Sequence, residues 1–556
     1  MNVHKAISDY VTRILGVNGM KVLLLDKETT SIVASVYSQS DIISRQVFLV
    51  ERVDIAAQKA AEESKDTMHH LKAVCFIRPT TNSINHMRAL LKSSKYKEYH
   101  IFFSNIVSTK LLQRLAEGDI NDLVRQVEEY FGDYYVLDNQ LFHCNLPLVK
   151  HVAVDHDYDR TMESVLSVLL SLKTRAVIRY EGTSAAAKSM ASALTSRMKI
   201  EGDLFYTQSE TTLLILDRRD DPVTPLLQQW TYQAMVHEIL GIDNNRVDLR
   251  KAGAEVKKEL QEVVLNPQQD HFYKGSMFLN FGELGVSVKE LVTNYQRKAQ
   301  DNSNLDSIQD MQNFVDKYPE FRQLAGNVSK HVTVMTELSR VVESRKLMEV
   351  SGLEQELACN SDHNAALQEL TRILRSSSFR FAEKLRLVML YALRYEGRKN
   401  ETQMLKERLR EAARSDKELS SIRAVDEVLL YAGNSQRGGD LFGNKSLGAK
   451  ASRFFSSALK GVENIYTQHR PLLVSTLEQL FKGKLKPTAY PFMDSSQAAS
   501  KAKVTDVVVF IIGGITYEEH AAVTQMMKEQ GDPSCRVVLG GSCVLNTSSF
   551  VDSLLR

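Results

Sequence analysis

Two short strand–helix units close this chain, and two strands alone cannot hold a sheet together. Val507 to Ile512 leads into a helical stretch at Tyr517 to Glu529, and Arg536 to Leu539 into another at Thr547 to Leu555. Independent stability needs about three or more strands with a packed face, so this tail must complete a sheet begun elsewhere. The matching pattern lies far upstream: helix-like Thr161 to Leu172, strand-like Ala176 to Tyr180, an Ala/Ser-rich helix near Ser184 to Met198, and strand-like Thr212 to Asp217 (TLLILD). Between the two parts, from about Thr224 to Leu480, the pattern is almost wholly helical. Apolar residues recur there at three and four, as in Phe321, Leu324, Val328, Val332, Met335, Leu338 and Val342. The helical part therefore reads as an insertion into an α/β domain.

An earlier α/β region opens the chain. Met20 to Asp26 (MKVLLLD), Val47 to Glu51, Lys72 to Arg78 and Tyr99 to Phe103 are short apolar runs separated by helical or polar stretches, the signature of a parallel sheet buried on both faces. Tyr134 to Leu137 (YYVL), after a helical segment rich in Leu, Val and Glu, is the candidate fifth strand. At 556 residues the chain exceeds what one core supports. The expected fold class is α/β plus an all-helical insertion: residues 1–137 as one α/β domain, 138–223 with 481–556 as a second, discontinuous one, and 224–480 as a helical domain with a hairpin near 305–350.

Seventy basic residues face 68 acidic ones, for a net charge of +2. No global field exists to gather nucleic acid or anionic lipid. Cys75, Cys144, Cys359, Cys535 and Cys543 contain no CxxC pair, which fits reduced thiols in a cytosolic setting. MNVHKAISDYV lacks the apolar core of a leader, and Val507 to Ile512 is far short of the ~20 residues that span a bilayer. Membrane work is expected to go through partners.

The motifs that would carry chemistry are incomplete. Gly513-Gly514-Ile515-Thr516 follows a strand, where phosphate could rest on free amides, but it is neither GxGxxG nor GxxxxGK[ST]. A tight turn accounts for it. Gly540-Gly541-Ser542 is not a GxSxG elbow. Asp217-Arg218-Arg219-Asp220-Asp221 ends a strand where catalytic carboxylates sit in α/β enzymes, yet reads better as an ion-pair and capping cluster leading to Pro225. His237-Glu238-Ile239-Leu240-Gly241 begins like HExxH and lacks the second histidine. His69, His70 and His469 have no acid or cysteine at ligand spacing. No catalytic residue, metal or cofactor is expected.

Tyr318-Pro319 is the more suggestive place. Pro319 cannot continue a helix from Leu305 to Lys317 but suits the first turn of the next, so two amphipathic helices should meet there at an angle. Such a pair can take a partner helix along an apolar groove; plain core packing is the competing reading.

Six blocks in order resemble one family: MKVLLLDKETTSIV (Met20 to Val33), LLILDRRDDPVTPLLQQWTYQAMVHEILG (Leu213 to Gly241), VSKHVTVMTELSRVV (Val328 to Val342), LEQELAC (Leu353 to Cys359), VENIYTQHRPLL (Val462 to Leu473) and VFIIGGITYEE (Val509 to Glu519). They resemble the SM (Sec-one/Munc-eighteen type) regulators of SNARE assembly. The resemblance implies an arch of two α/β domains flanking a helical domain, no catalytic residues and no cofactor. It further implies a syntaxin-type Qa-SNARE as partner, the assembled SNARE bundle as a second ligand, and a cytoplasmic protein peripherally associated with Golgi and endosomal membranes. Aligning Phe103 to Phe131 with the family places Leu112, Val124, Val127 and Glu129 at an apolar pocket for the partner's amino-terminal peptide. Val124 and Val127, at i and i+3, would share one helix face. Tyr318 and Pro319 fall at the tip of the hairpin that helps hold SNARE helices. Two other classes stay open at this point: a nucleotide-dependent enzyme using Gly513-Gly514 and Asp217, and a helical tether with no SNARE contact.

Overall fold

The computed structural model describes residues 1–62, 67–146, 156–205, 210–252, 256–303, 308–359, 362–437, 441–442, 466, 468–494 and 503–556. The chain forms two compact units. The first takes Met1–Leu216, Gly483–Gly514 and Asp532–Cys543; the second takes Asp217–Lys482, Ile515–Gly531 and Val544–Arg556.

The first unit holds two sheets. In the first sheet, β1 (Lys21–Leu25), β2 (Val47–Arg52), β3 (Lys72–Ile77), β4 (Tyr99–Phe103) and β5 (Val124–Glu129) lie in the order β2-β1-β3-β4-β5, every neighbouring pair parallel. β1 is buried along its whole length, as a strand covered by helices on both faces must be. Val22, Leu24, Ala73, Cys75, Ile77, Tyr99, Ile101 and Phe103 face one helical layer. Leu23, Leu25, Val74, Phe76 and Phe102 face the other, with Val3, Ile7, Val11 and Ile14 of the amino-terminal helix.

The second sheet takes β6 (Tyr135–Asp138), β7 (Leu141–His143), β8 (Arg175–Tyr180) and β9 (Glu210–Asp217). After a small hairpin in the other unit, β10 (Arg246–Asp248) with β11 (Glu262–Val264), it also takes β12 (Asp506–Ile512) and β13 (Arg536–Gly541). The order is β6-β7-β13-β12-β9-β8, so the last two strands of the chain fill the middle. Gly540 allows this: a Cβ there would stand 2.0 Å from the Phe142 ring. A strap seals the β8 edge. The Tyr180 amide donates to the Pro491 carbonyl (3.2 Å), the Gly182 amide to that of Ala489 (2.8 Å) and the Met493 amide to that of Ile178 (2.9 Å). The Arg179 guanidinium donates to the carbonyls of Leu485 and Tyr490 and lies 4.6 Å from the centre of the Phe492 ring.

Two expectations are corrected here. Tyr134 to Leu137 is not the fifth strand of the first sheet: β6 is an edge of the second, antiparallel to β7. The fifth strand is β5, inside the segment read as helical. Its sequence VRQVEE carries mostly polar residues because an edge strand buries little, and pairing with β4 overrides helix propensity.

The second unit is mainly helical. Arg386 is buried between Glu354 (2.6 Å) and Glu238 (3.1 Å). The same carboxylates accept the amides of Gln228 (2.7 Å) and Thr547 (2.9 Å), so one cluster fixes both the entry to the helical part and the start of the last helix. Arg218 and Glu519, each 1% exposed, pair at 2.6 Å. Removing one partner of such a pair costs about 3–5 kcal/mol. The hairpin is built from helices Phe281–Ser303 and Ile308–Ser344. Contrary to the expected break, the second helix runs through Pro319 without interruption. Proline costs about 3 kcal/mol in a helix interior. Burial of Val334, Leu338, Val341 and Val342, together with a Tyr232–His331–Asp270 hydrogen-bond chain, offsets that cost further along the same helix. The sequence from 437 to 450, whose Gly438-Gly439 pair reads as a loop, lies for residues 438–440 and 443–450 outside the described residues.

Candidate functional site

β5 forms the outer edge of the first sheet, and its pairing with β4 contains a shift. Tyr99 pairs with Val124 but His100 with Gln126, leaving Arg125 as the extra residue of a β-bulge. Beyond it Ile101 pairs with Val127 and Phe103 with Glu129. Tyr99, Ile101 and Phe103 alternate along β4 and so share a face, and partners in a parallel ladder face the same way. Val124, Val127 and Glu129 therefore point to one side of the sheet. The expected shared face is present, but a bulged strand produces it and not a helix.

Helix Thr109–Ala116 covers this side. Ser108 caps its start, accepting the Leu111 amide. Leu115 is buried, while Leu111, Leu112 and Val124 are half-buried against the same core. Val127 is 43% exposed. Leu112 and Val124 thus pack on one core at the junction of helix and strand, and Val127 and Glu129 continue the same side of β5, with apolar surface open to solvent.

Glu129 holds that junction in place. Its Oε1 accepts the Val107 amide at 2.7 Å, tying the loop before the helix to the end of β5. Burial raises the pKa of its carboxyl above the ordinary glutamate value, against the lowering effect of the Val107 amide, and Glu201 adds to the rise. A half-buried carboxylate of this kind is stabilised by an arriving cation or N–H donor. At the other end Asp119 accepts the amides of Leu123 (2.8 Å) and Val124 (3.0 Å), fastening the preceding turn to β5. Sequence reasoning missed Asp119, although Gly118-Asp119-Ile120-Asn121-Asp122 carries plain turn chemistry.

Tyr318 and Pro319 lie in the second unit, on the long helix of the hairpin, with Tyr318 exposed.

The places where α/β proteins usually hold small ligands are occupied by the chain's own groups. Where the strand order reverses, between β1 and β3, Asp26 accepts the amides of Thr29 (2.8 Å) and Arg78 (2.5 Å). The Arg78 side chain in turn meets Asp133, which is fully buried, and the half-exposed Glu163, each at 3.1 Å. The helix after Gly513-Gly514 is capped internally: Thr516 accepts the Glu519 amide, and Glu519 accepts that of Thr516 while pairing with Arg218. Gly513 and Gly514 have φ of 92° and 104°, values that a turn asks of glycine. Asp217 accepts from the amide and Nε of Arg219. His237 is buried, accepts the Ile242 amide at Nδ1, and burial pushes its pKa down to about 4. Among the described residues no three His, Cys, Asp or Glu side chains are placed to hold a metal, and no helix is long and apolar enough to cross a membrane.

Vacuolar protein sorting-associated protein 45 of Dictyostelium discoideum is 44% identical over 561 residues, covering 100% of this chain and 96% of the relative. The human protein of that name is 43% identical over 567 residues, covering 100% and 96%. Among solved structures, the SM protein Vps45 in complex with the Qa SNARE Tlg2 (1-310) superimposes with a TM-score of 0.87 at 39% identity, covering 100% of this chain and 98% of that one. The Unc18 and syntaxin 1 complex of Monosiga brevicollis, at 19% identity and a TM-score of 0.80, shares the fold. The Sec1 family profile matches residues 21–553, and the chain belongs to the Sec1 family.

Proposed function

We propose that this chain is a SNARE-binding regulator of vesicle docking and membrane fusion in endosomal, trans-Golgi and vacuolar transport. It takes a syntaxin-type Qa-SNARE by its amino-terminal peptide and by its helices and promotes SNARE assembly. The observation that carries the reading is the open apolar junction of Leu112, Val124 and Val127 closed at one end by Glu129. Similarity to Vps45, solved with the Qa SNARE Tlg2, supports the choice of partner. In this reading residues 1–137 carry the peptide site, 138–223 with 481–556 form the second α/β domain, and exposed Tyr318, next to Pro319 in the helical domain, meets SNARE helices. The protein acts without catalysis and reaches Golgi and endosomal membranes peripherally, through its partners.

Burying one leucine or phenylalanine of a peptide contributes about 1.5–3 kcal/mol, so a few such contacts reach micromolar affinity. Leu112→Arg is expected to abolish calorimetric binding of the amino-terminal peptide of a Tlg2-type Qa-SNARE and to weaken binding of its whole cytosolic part. Unchanged peptide affinity would remove the site.

A further inference from the structure

We infer that the peptide site continues past Val124 onto Ile120, and that the segment lying along it is extended, basic and apolar, with a second apolar anchor set on Ile120. The inference rests on the peptide-binding reading above and adds a specificity-determining residue to it. Ile120 is 75% exposed, the most exposed large apolar side chain among the described residues. The turn that carries it is held firmly. Asp119 is bonded to the amides of Leu123 and Val124, Asn121 Nδ2 donates to the Ser94 hydroxyl at 2.9 Å, and Gly118 packs so closely on Arg88 that a Cβ would come within 2.6 Å of its side chain. A rigid apolar side chain gives contact area at little cost in conformational entropy.

Continuity and charge identify the occupant. The two amide bonds to Asp119 keep residue 120 within roughly 10 Å of Val124, about three residues of extended peptide. Residues 117–129 carry Glu117, Asp119, Asp122, Glu128 and Glu129 against the single cation Arg125. Arg125 reaches Asp122 at 3.4 Å, whereas Glu117 and Glu128 are met by the neutral amides of Gln113 and Gln126. Lys110 and Arg114 lie on the helix across from them, Arg114 donating to Asn85, so the acidic excess belongs to the turn and β5. An apolar strip bordered on that side by carboxylates suits a peptide whose apolar residues are interspersed with lysine or arginine.

The test is calorimetry of the full chain with the amino-terminal peptide of a Tlg2-type Qa-SNARE, using Ile120→Asp, Ile120→Leu and Leu112→Arg in parallel at low and high salt. The expected result is about tenfold weaker binding for Ile120→Asp, a difference of about 1.4 kcal/mol. Affinity should be retained in Ile120→Leu and should fall with salt in the unmutated chain. Full affinity in Ile120→Asp with loss in Leu112→Arg overturns the extension and leaves the pocket standing. Full affinity in both overturns both readings. Loss in Ile120→Asp alone keeps the anchor and removes the pocket, and salt-independent binding overturns the basic character assigned to the peptide.

Discussion

Two of the four sheet edges in the first unit, β8 and β5, are treated in opposite ways. At β8 the returning chain lies down as a strap, its backbone paired with Ile178, Tyr180 and Gly182, and Arg179 clasps two of its carbonyls while stacking on Phe492. At β5 no such strap is present among the described residues: the strand keeps Val127 exposed and is fringed with acidic side chains. An open edge is a liability that proteins blunt with charge or cover. Edge β2 also exposes apolar side chains, Phe48 and Val50, so it is the proposed peptide site, and not exposure alone, that makes β5 the edge offered to a partner.

Substitutions at the two edges should therefore differ in kind. The largest effect is expected inside the sealed sheet, where Gly540→Ala drives a methyl into the Phe142 ring. Overpacking typically costs about 1–3 kcal/mol, and this overlap should reach or exceed the upper figure in urea unfolding. Arg179→Ala removes charge-assisted bonds to two carbonyls and a ring contact, which should cost about 2 kcal/mol and raise light scattering as the β8 edge opens. An unchanged unfolding midpoint would show the strap to be ornamental.

At β5 the effects move from stability to binding. Because burial raises the Glu129 pKa, the carboxylate loses its charge as the pH falls, before the ordinary glutamate range is reached. Affinity for a basic peptide should therefore drop several-fold between neutral and mildly acidic pH, and Glu129→Gln should flatten that profile. The linkage to folding has the opposite sign: a carboxyl raised in the folded state contributes less stability as the pH climbs through its window. The smallest effect is expected for Val127→Lys, within about 0.5 kcal/mol of the unmutated stability, as for exposed positions generally. A large loss there would mean that β5 is core after all.

What the sequence made legible follows from burial. β1, β3, β4, β12 and β13 appear as apolar runs because both their faces are covered. β5 was illegible for the converse reason, since an edge strand with Arg125, Gln126, Glu128 and Glu129 has no apolar run to show. The four residues at the β5 junction were reached through family resemblance, and the local reason offered for them was mistaken. Val124 and Val127 share a side through one extra residue in a ladder, which no spacing rule anticipates. The helix through Pro319 escaped for a related reason: a local rule about proline cannot see the packing of Val334 and Leu338 some four turns later.

The central position of β12 and β13 has a consequence for biosynthesis. When the ribosome has finished β9, the second sheet exists as two separate pairs, β6 with β7 and β8 with β9, with a two-strand gap between them. The strands that fill the gap begin at Asp506, and at 5–20 residues per second they arrive roughly 15–60 s later. For that interval β7 and β9 each present an unpaired apolar border in a crowded cell. The nascent chain should therefore be a long-lived client of chaperones, and truncation anywhere before Gly541 should leave the amino-terminal half unable to close.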